Sequence, residues 1–280
     1  MIKNILRPFN FILTMIKVRF LIQKIDNLCP FEGKLGENIF YQDVLPTEII
    51  KELKKIYKEN NKIYIQFTNS SKLTIEKIFN IAKPLLRDYM GPNVFLDGMS
   101  FIETEPNLNS GLFINQKKKY FAENWHTDNV GTRIKCYICL DGDGSQPTLI
   151  LKSKKNKITF IEWLQYILIE AIRWSGIKFK YNFNNTKYIF HKTSTISFFD
   201  TNHLHRGEYL KNSKNRLVLI MEFSNPSKHS LLTGPIGTNK KNNFLFDKAF
   251  LEIENFKDLI DIKRIHYINN STILYSNKIN

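Results

Sequence analysis

Cysteine is scarce: Cys29, Cys136 and Cys139 are the only three in 280 residues. An odd, small number excludes a disulfide framework and points to a reducing compartment. Cys136-x-x-Cys139 has no second pair to complete a four-ligand zinc site. It lies in a run of strand character, where residues three apart point to opposite faces, so both read as small strand residues. Acidic residues are in deficit, 26 Asp plus Glu against 41 Lys plus Arg, a formal charge of +15. That balance suits nucleic acid, a membrane surface or acidic small molecules. Lys is scattered rather than banded, however, and is abundant together with Ile and Asn, so no dedicated nucleic-acid site is expected.

Long apolar runs are also missing. A spanning helix needs about 20 uninterrupted apolar residues, whereas in residues 1–25 Arg7 and Lys17 bracket a run of only nine. No small-residue cleavage site follows, which argues against a signal peptide. Residues 1–25 read as an element packed on the body of the protein, with peripheral membrane contact as the alternative. The expected location is cytoplasmic, or peripheral at a membrane. No Gly-x-Ser-x-Gly motif supports a serine mechanism. Asp141-Gly142-Asp143-Gly144 has the wrong pattern for a phosphate loop and no helix after it; it reads as a hairpin turn between two strands. No internal repeat is visible.

What is present is a large apolar and aromatic stock, 42% and 13% of the chain, enough for a sizeable core. Apolar positions three and four apart predict helices over 46–59 and 72–89, with Pro84 as a possible kink and Gly91-Pro92 as the stop. Alternation predicts a strand over 62–67. From residue 93 short strand-like runs follow one another: 94–104, 111–115, 133–140, 148–152, 187–191, 195–199 and 216–223. One helix, 160–174, interrupts them inside an insert of about 153–186. The reading is mostly β with flanking helices: an N-terminal helical region 1–92, a β core 93–225 and a C-terminal extension 226–280, together one structural domain. Strands at this spacing fit a sandwich or jelly roll. The segments around 244–275 have no assignable period.

His126 and Asp128 lie two apart just before an expected strand, so an extended backbone aims both to one face. A second pair, His203 and His205, follows the run 195–199, and Arg216 opens the next one. Two His and one carboxylate form the facial triad that holds non-haem Fe(II) and leaves positions open. An Arg nearby can grip a far carboxylate bidentately. The residues alone leave His203 and His205 equal as the third ligand. His191, His229 and His266 have no partner pattern and read as core or surface residues. Asp200 and Glu222 read as solvated strand ends, with contact to a ligand His as the alternative.

His126-Thr127-Asp128, then His205-Arg206-Gly207 and Arg216, resemble the phytanoyl-CoA dioxygenase family of Fe(II)/2-oxoglutarate-dependent oxygenases. The resemblance covers about 93–225. In that family the distal His lies eleven positions before the 2-oxoglutarate Arg, a spacing that His205 and Arg216 share and His203 does not. The resemblance therefore selects His126, Asp128 and His205 as metal ligands and Arg216 as the cosubstrate Arg. It implies a double-stranded β-helix (jelly-roll, cupin-like) core, Fe(II) as cofactor and 2-oxoglutarate as cosubstrate. It also implies an aromatic residue beside 2-oxoglutarate, a position that falls on Tyr137; Lys135 and Thr148 are further candidates on the cosubstrate side. The implied activity is hydroxylation of a small-molecule, lipid-like or acyl substrate with dioxygen. Asp128 is retained where halogenating relatives replace it. Leu151-Lys152-Ser153-Lys154-Lys155 departs from the family's Pro-Gly-Ser-His turn, and the helical insert is unusual; both bear on substrate. The alternatives are a non-catalytic jelly-roll binding protein and an oxygenase acting on nucleic acid.

Overall fold

The computed structural model describes residues 40–59, 65–106, 112–113, 118–119, 125, 133–151, 186–201, 205–224 and 244–276. The expected N-terminal element 1–25, the helix 160–174, and His126, Asp128, His203 and His229 lie outside the described residues.

The described chain begins with strand β1 (Phe40–Val44) and helix α1 (Thr47–Glu59). Strand β2 (Ile65–Phe67) and helix α2 (Lys72–Met90) follow. Then come β3 (Phe95–Thr104), β4 (Leu112–Phe113), β5 (Lys118–Lys119), β6 (Arg133–Asp141) and β7 (Thr148–Leu151). Next are β8 (Thr186–Ile189), β9 (Thr195–Asp200), β10 (His205–Gly207) and β11 (Arg216–Ser224). The C-terminal part adds β12 (Phe244–Asp247), a short helix α3 (Glu254–Lys257), β13 (Ile265–Tyr267) and β14 (Thr272–Tyr275).

The molecule is mostly β, as its sequence pattern predicts. The large sheet runs β1-β9-β6-β11-β3-β4-β5, and a small sheet runs β10-β7-β8. A third sheet, β13-β14-β12-β2, joins the N- and C-terminal parts through the parallel pair β12 and β2. Strand alternation explains how the large sheet can be covered on both faces. On β6, Ile134, Cys136 and Ile138 turn to the helices and join the main core, while Tyr137 and Cys139 turn the other way. On β11, Leu219, Met221 and Phe223 face the main core, and Val218 and Ile220 face the opposite side. Tyr137 then packs with Phe199 of the large sheet and with Ile150 and Ile189 of the small one, which sets the two sheets face to face. Helix α2 presents Ile75, Ile78, Phe79, Ala82, Leu85 and Leu86 at helical spacing to the main core. Phe79 meets Phe256 edge-on at 4.9 Å and Phe223 at 6.3 Å. Gly91 ends the helix at φ 86°, a left-handed conformation that costs glycine nothing, and its N–H closes onto the Arg87 carbonyl.

Three expectations are corrected. Asp141–Gly144 is not a hairpin turn between paired strands. Strand β6 pairs with β9 and β11, whereas β7 pairs with β10 and β8, so this segment carries the chain from one sheet to the other. Asp200 is not a solvated strand end: it is 4% exposed and accepts a 2.7 Å hydrogen bond from the Tyr89 hydroxyl on α2. Glu222 is half-buried and lies 3.7 Å from the Lys135 ammonium.

Segments 244–275, which have no readable period, are held by specific polar ties. Arg264 is buried, pairs with Asp97 at 3.0 Å and lies 4.5 Å over the Tyr275 ring. The Tyr275 hydroxyl donates to the Leu96 carbonyl at 2.7 Å. Both ties anchor the C-terminal sheet to the start of β3.

Candidate active site

The space between the large and small sheets is lined by the residues that the sequence singles out. Strand β10 is only three residues long, but it lies antiparallel to β7 with His205 opposite Ile150 and Gly207 opposite Thr148. His205 is 4% exposed, and its ring meets Phe199 edge-on at 5.7 Å. Phe199 in turn meets Tyr137 at 5.1 Å, so two adjacent strands of the large sheet, β9 and β6, back the imidazole carried by the small one. Arg206, the next residue, sits 5.3 Å over the Trp125 ring and pairs with Glu208. Trp125 is bonded to His126, and Arg206 to His205, so the two halves of the expected metal triad are joined to residues that stack on one another.

Further along β7, Thr148 Oγ1 is 2.9 Å from His191 Nε2. His191 is fully buried, and its ring lies 5.0 Å from that of Tyr137. Burial, then the nearby Arg216 charge, holds the imidazole well below its ordinary pKa, so it is neutral at physiological pH. The Cys139 thiol is pushed up to about 12, chiefly by burial, which makes it an inert packing group.

Arg216 opens β11 directly opposite Thr104 of β3. Its Nη1 donates to the Gln146 carbonyl at 2.6 Å. The Gln146 side chain is itself pinned: its Oε1 accepts from Thr104 Oγ1 at 2.6 Å, and its Nε2 donates to the Lys214 carbonyl. The guanidinium is therefore held by a braced loop rather than swinging from the strand end. Buried Arg216 Nε and His191 Nδ1 have no hydrogen-bond partner among the described residues. Buried polar atoms without partners are uncommon in folded proteins and point to a group that completes them.

Of the seven candidates, five are described. Tyr137, Thr148, His205 and Arg216 all border the inter-sheet space, Tyr137 and His205 through Phe199, Thr148 and Arg216 through His191. Lys135 shares the face of Tyr137 but is drawn to Glu222. His126 and Asp128 lie outside the described residues. Sequence reading gave His191 only a core or surface place and did not single out Gln146. Nothing marks Gln146, because its role rests on backbone carbonyls. His191 closes an alternating run and has no companion ligand in the sequence; only the fold brings Thr148 and Arg216 to it.

An aliphatic and aromatic wall with a fixed guanidinium, a neutral imidazole and a hydroxyl can take a small anion. Buried His205, close by, is one imidazole of the expected metal triad, whose other two members, His126 and Asp128, lie outside the described residues. The described residues thus fit a dicarboxylic cosubstrate, and His205 is the described member of the expected iron triad.

No protein-family model and no curated protein sequence matches the chain. Among solved structures it is similar to HygX from Streptomyces hygroscopicus with iron bound, at 8% identity and a TM-score of 0.45, over 68% of this chain and 83% of that one. It is also similar to AviO1 from Streptomyces viridochromogenes, at 13% identity and a TM-score of 0.43, over 69% of this chain and 93% of that one. A third similar structure is SnoK, a non-heme alpha ketoglutarate dependent carbocyclase from nogalamycin biosynthesis, at 9% identity and a TM-score of 0.42, over 68% and 83% of the two chains.

Proposed function

We propose that this chain is an Fe(II)- and 2-oxoglutarate-dependent dioxygenase of the phytanoyl-CoA dioxygenase type, with a double-stranded β-helix core, that hydroxylates a small-molecule, lipid-like or acyl substrate. The observation that carries the reading is the stacking of Arg206 on Trp125. It sets Trp125, the chain neighbour of His126, against Arg206, the chain neighbour of His205, and this supports reading the two segments as one site. His126, Asp128 and His205 would hold the iron. Arg216 would pair with the far carboxylate of 2-oxoglutarate.

The bound iron and 2-oxoglutarate supply the oxidising power, with dioxygen as co-reactant and carbon dioxide and succinate as products. This chain's residues supply position. Phe199 fixes the His205 ring. Gln146 fixes Arg216, which in turn sets how deep a dicarboxylate sits. Tyr137 walls one side of the cosubstrate, with Thr148 and Lys135 as further contacts. The apolar side chains between the sheets exclude water from the reacting centre.

Succinate formation from 2-oxoglutarate under Fe(II) and oxygen, without added substrate, tests the reading. Slow uncoupled turnover that disappears in His126→Ala supports it. Absence of turnover together with absence of Fe(II)-linked stabilisation rejects it and leaves a non-catalytic binding protein. The excess positive charge is tested separately: salt-dependent binding to DNA or RNA would shift the substrate class to nucleic acid. Among the described residues no helix is long and apolar enough to cross a membrane.

A further inference from the structure

We infer that His191 is a cosubstrate-binding residue: held by Thr148, it donates its Nδ1–H to the same carboxylate that Arg216 grips. This rests on the proposed function and names a group at its site that the sequence pattern leaves out.

His191 is fully buried and bonded through Nε2 to Thr148 Oγ1, while its Nδ1 has no partner among the described residues. Arg216 has a buried Nε in the same state, and its charge acts directly on the His191 ring. Gly142 ties the two together. A Cβ there would lie 2.9 Å from the His191 backbone carbonyl and 3.4 Å from Arg216 Cγ, so the His191 main chain and the Arg216 stem pack against the same point.

A neutral imidazole has one donor and one acceptor nitrogen. A Thr148 hydroxyl that donates to Nε2 leaves the proton on Nδ1, which is the tautomer an adjacent anion favours. Protonating the ring as well would place a second buried cation beside Arg216. The site therefore offers one fixed positive charge and one neutral donor. That set matches a single carboxylate. A dianionic phosphate would bring one charge too many, and a 2-oxo monoacid would leave both groups unfilled.

The test is anaerobic binding of 2-oxoglutarate and of pyruvate to the full-length Fe(II) protein, read from metal-to-ligand charge-transfer absorbance. His191→Phe should weaken 2-oxoglutarate roughly tenfold to a hundredfold, the effect of leaving a buried hydrogen bond unmade. Pyruvate, which has no far carboxylate, should bind as in wild type. His191→Asn, which restores a donor near Nδ1, should recover part of the loss. Equal weakening of both ligands, or none, overturns the inference while wild-type binding keeps the proposed function. Wild-type protein that binds no 2-oxoglutarate overturns both. If His191→Phe does not fold, nitrogen NMR of His-labelled wild type with 2-oxoglutarate decides: a proton on Nδ1 is expected, and a proton on Nε2 overturns the inference.

Discussion

Gly142 sets the tolerance of the site at the residue scale. Any larger residue puts a Cβ 2.8 Å from Cys139 Sγ and 2.9 Å from the His191 carbonyl, closer than real side chains come. Overpacking of this kind costs about 1–3 kcal/mol. Gly142→Ala should lower the urea midpoint accordingly and raise the KM for 2-oxoglutarate, because the displaced atoms belong to the groups around Arg216. An unchanged midpoint would mean that the loop yields freely. His191 adds a pH signature. Its folded pKa is depressed, by burial first and Arg216 second. The unfolded chain therefore binds the proton more readily, with an ordinary pKa of about 6.5. The stabilising contribution is fully present above about pH 6.5 and is lost as the pH falls toward the folded pKa. Unfolding free energy should decline below about pH 6.5, before carboxylates titrate, and the decline should be shallower in His191→Gln. Equal slopes for the two proteins would contradict this.

At the scale of elements, long alternating runs were legible, and so were the short β7 and β8, but β10 and the short strands of the C-terminal part were not. Strands β3, β6, β9 and β11 match the expected runs within one residue at either end. Each has six to ten residues, enough for a period of two to stand out. Strands β10, β12, β13 and β14 have three or four residues and show no period; pairing with distant segments makes them strands. The mistaken hairpin at Asp141–Gly144 has the same origin, since turn chemistry is local and the choice of sheet is not. The His205 to Arg216 spacing was readable because one loop joins β10 to β11. The brace of Arg216 was not, because Gln146 works through the Lys214 carbonyl and Thr104. Gln146→Ala should therefore raise the KM for 2-oxoglutarate about tenfold, the value of one buried hydrogen-bonded contact, with little change in kcat. A fall in kcat alone would place Gln146 elsewhere in the reaction.

At the scale of the whole molecule, the parts before and after the β core share one apolar core with it. Ile75 and Phe79 of α2, Ile134 of β6, and Phe244 and Phe256 of the C-terminal part belong to the same buried cluster. Its polar fastening is Arg264 with Asp97, both 5% exposed. Removing one partner of a buried pair leaves a charge uncompensated, at a cost of about 3–5 kcal/mol. Arg264→Met should destabilise the entire protein by that amount in a single cooperative transition. A separate early transition would show instead that the C-terminal sheet melts independently of the site.

The proposed function has one direct measurement: succinate formed from 2-oxoglutarate by Fe(II)-loaded protein under oxygen, compared between wild type, His205→Ala and His203→Ala. Loss of succinate in His205→Ala, with turnover retained in His203→Ala, is the predicted result. Turnover that survives His205→Ala, or that is lost only in His203→Ala, would contradict the assigned metal site.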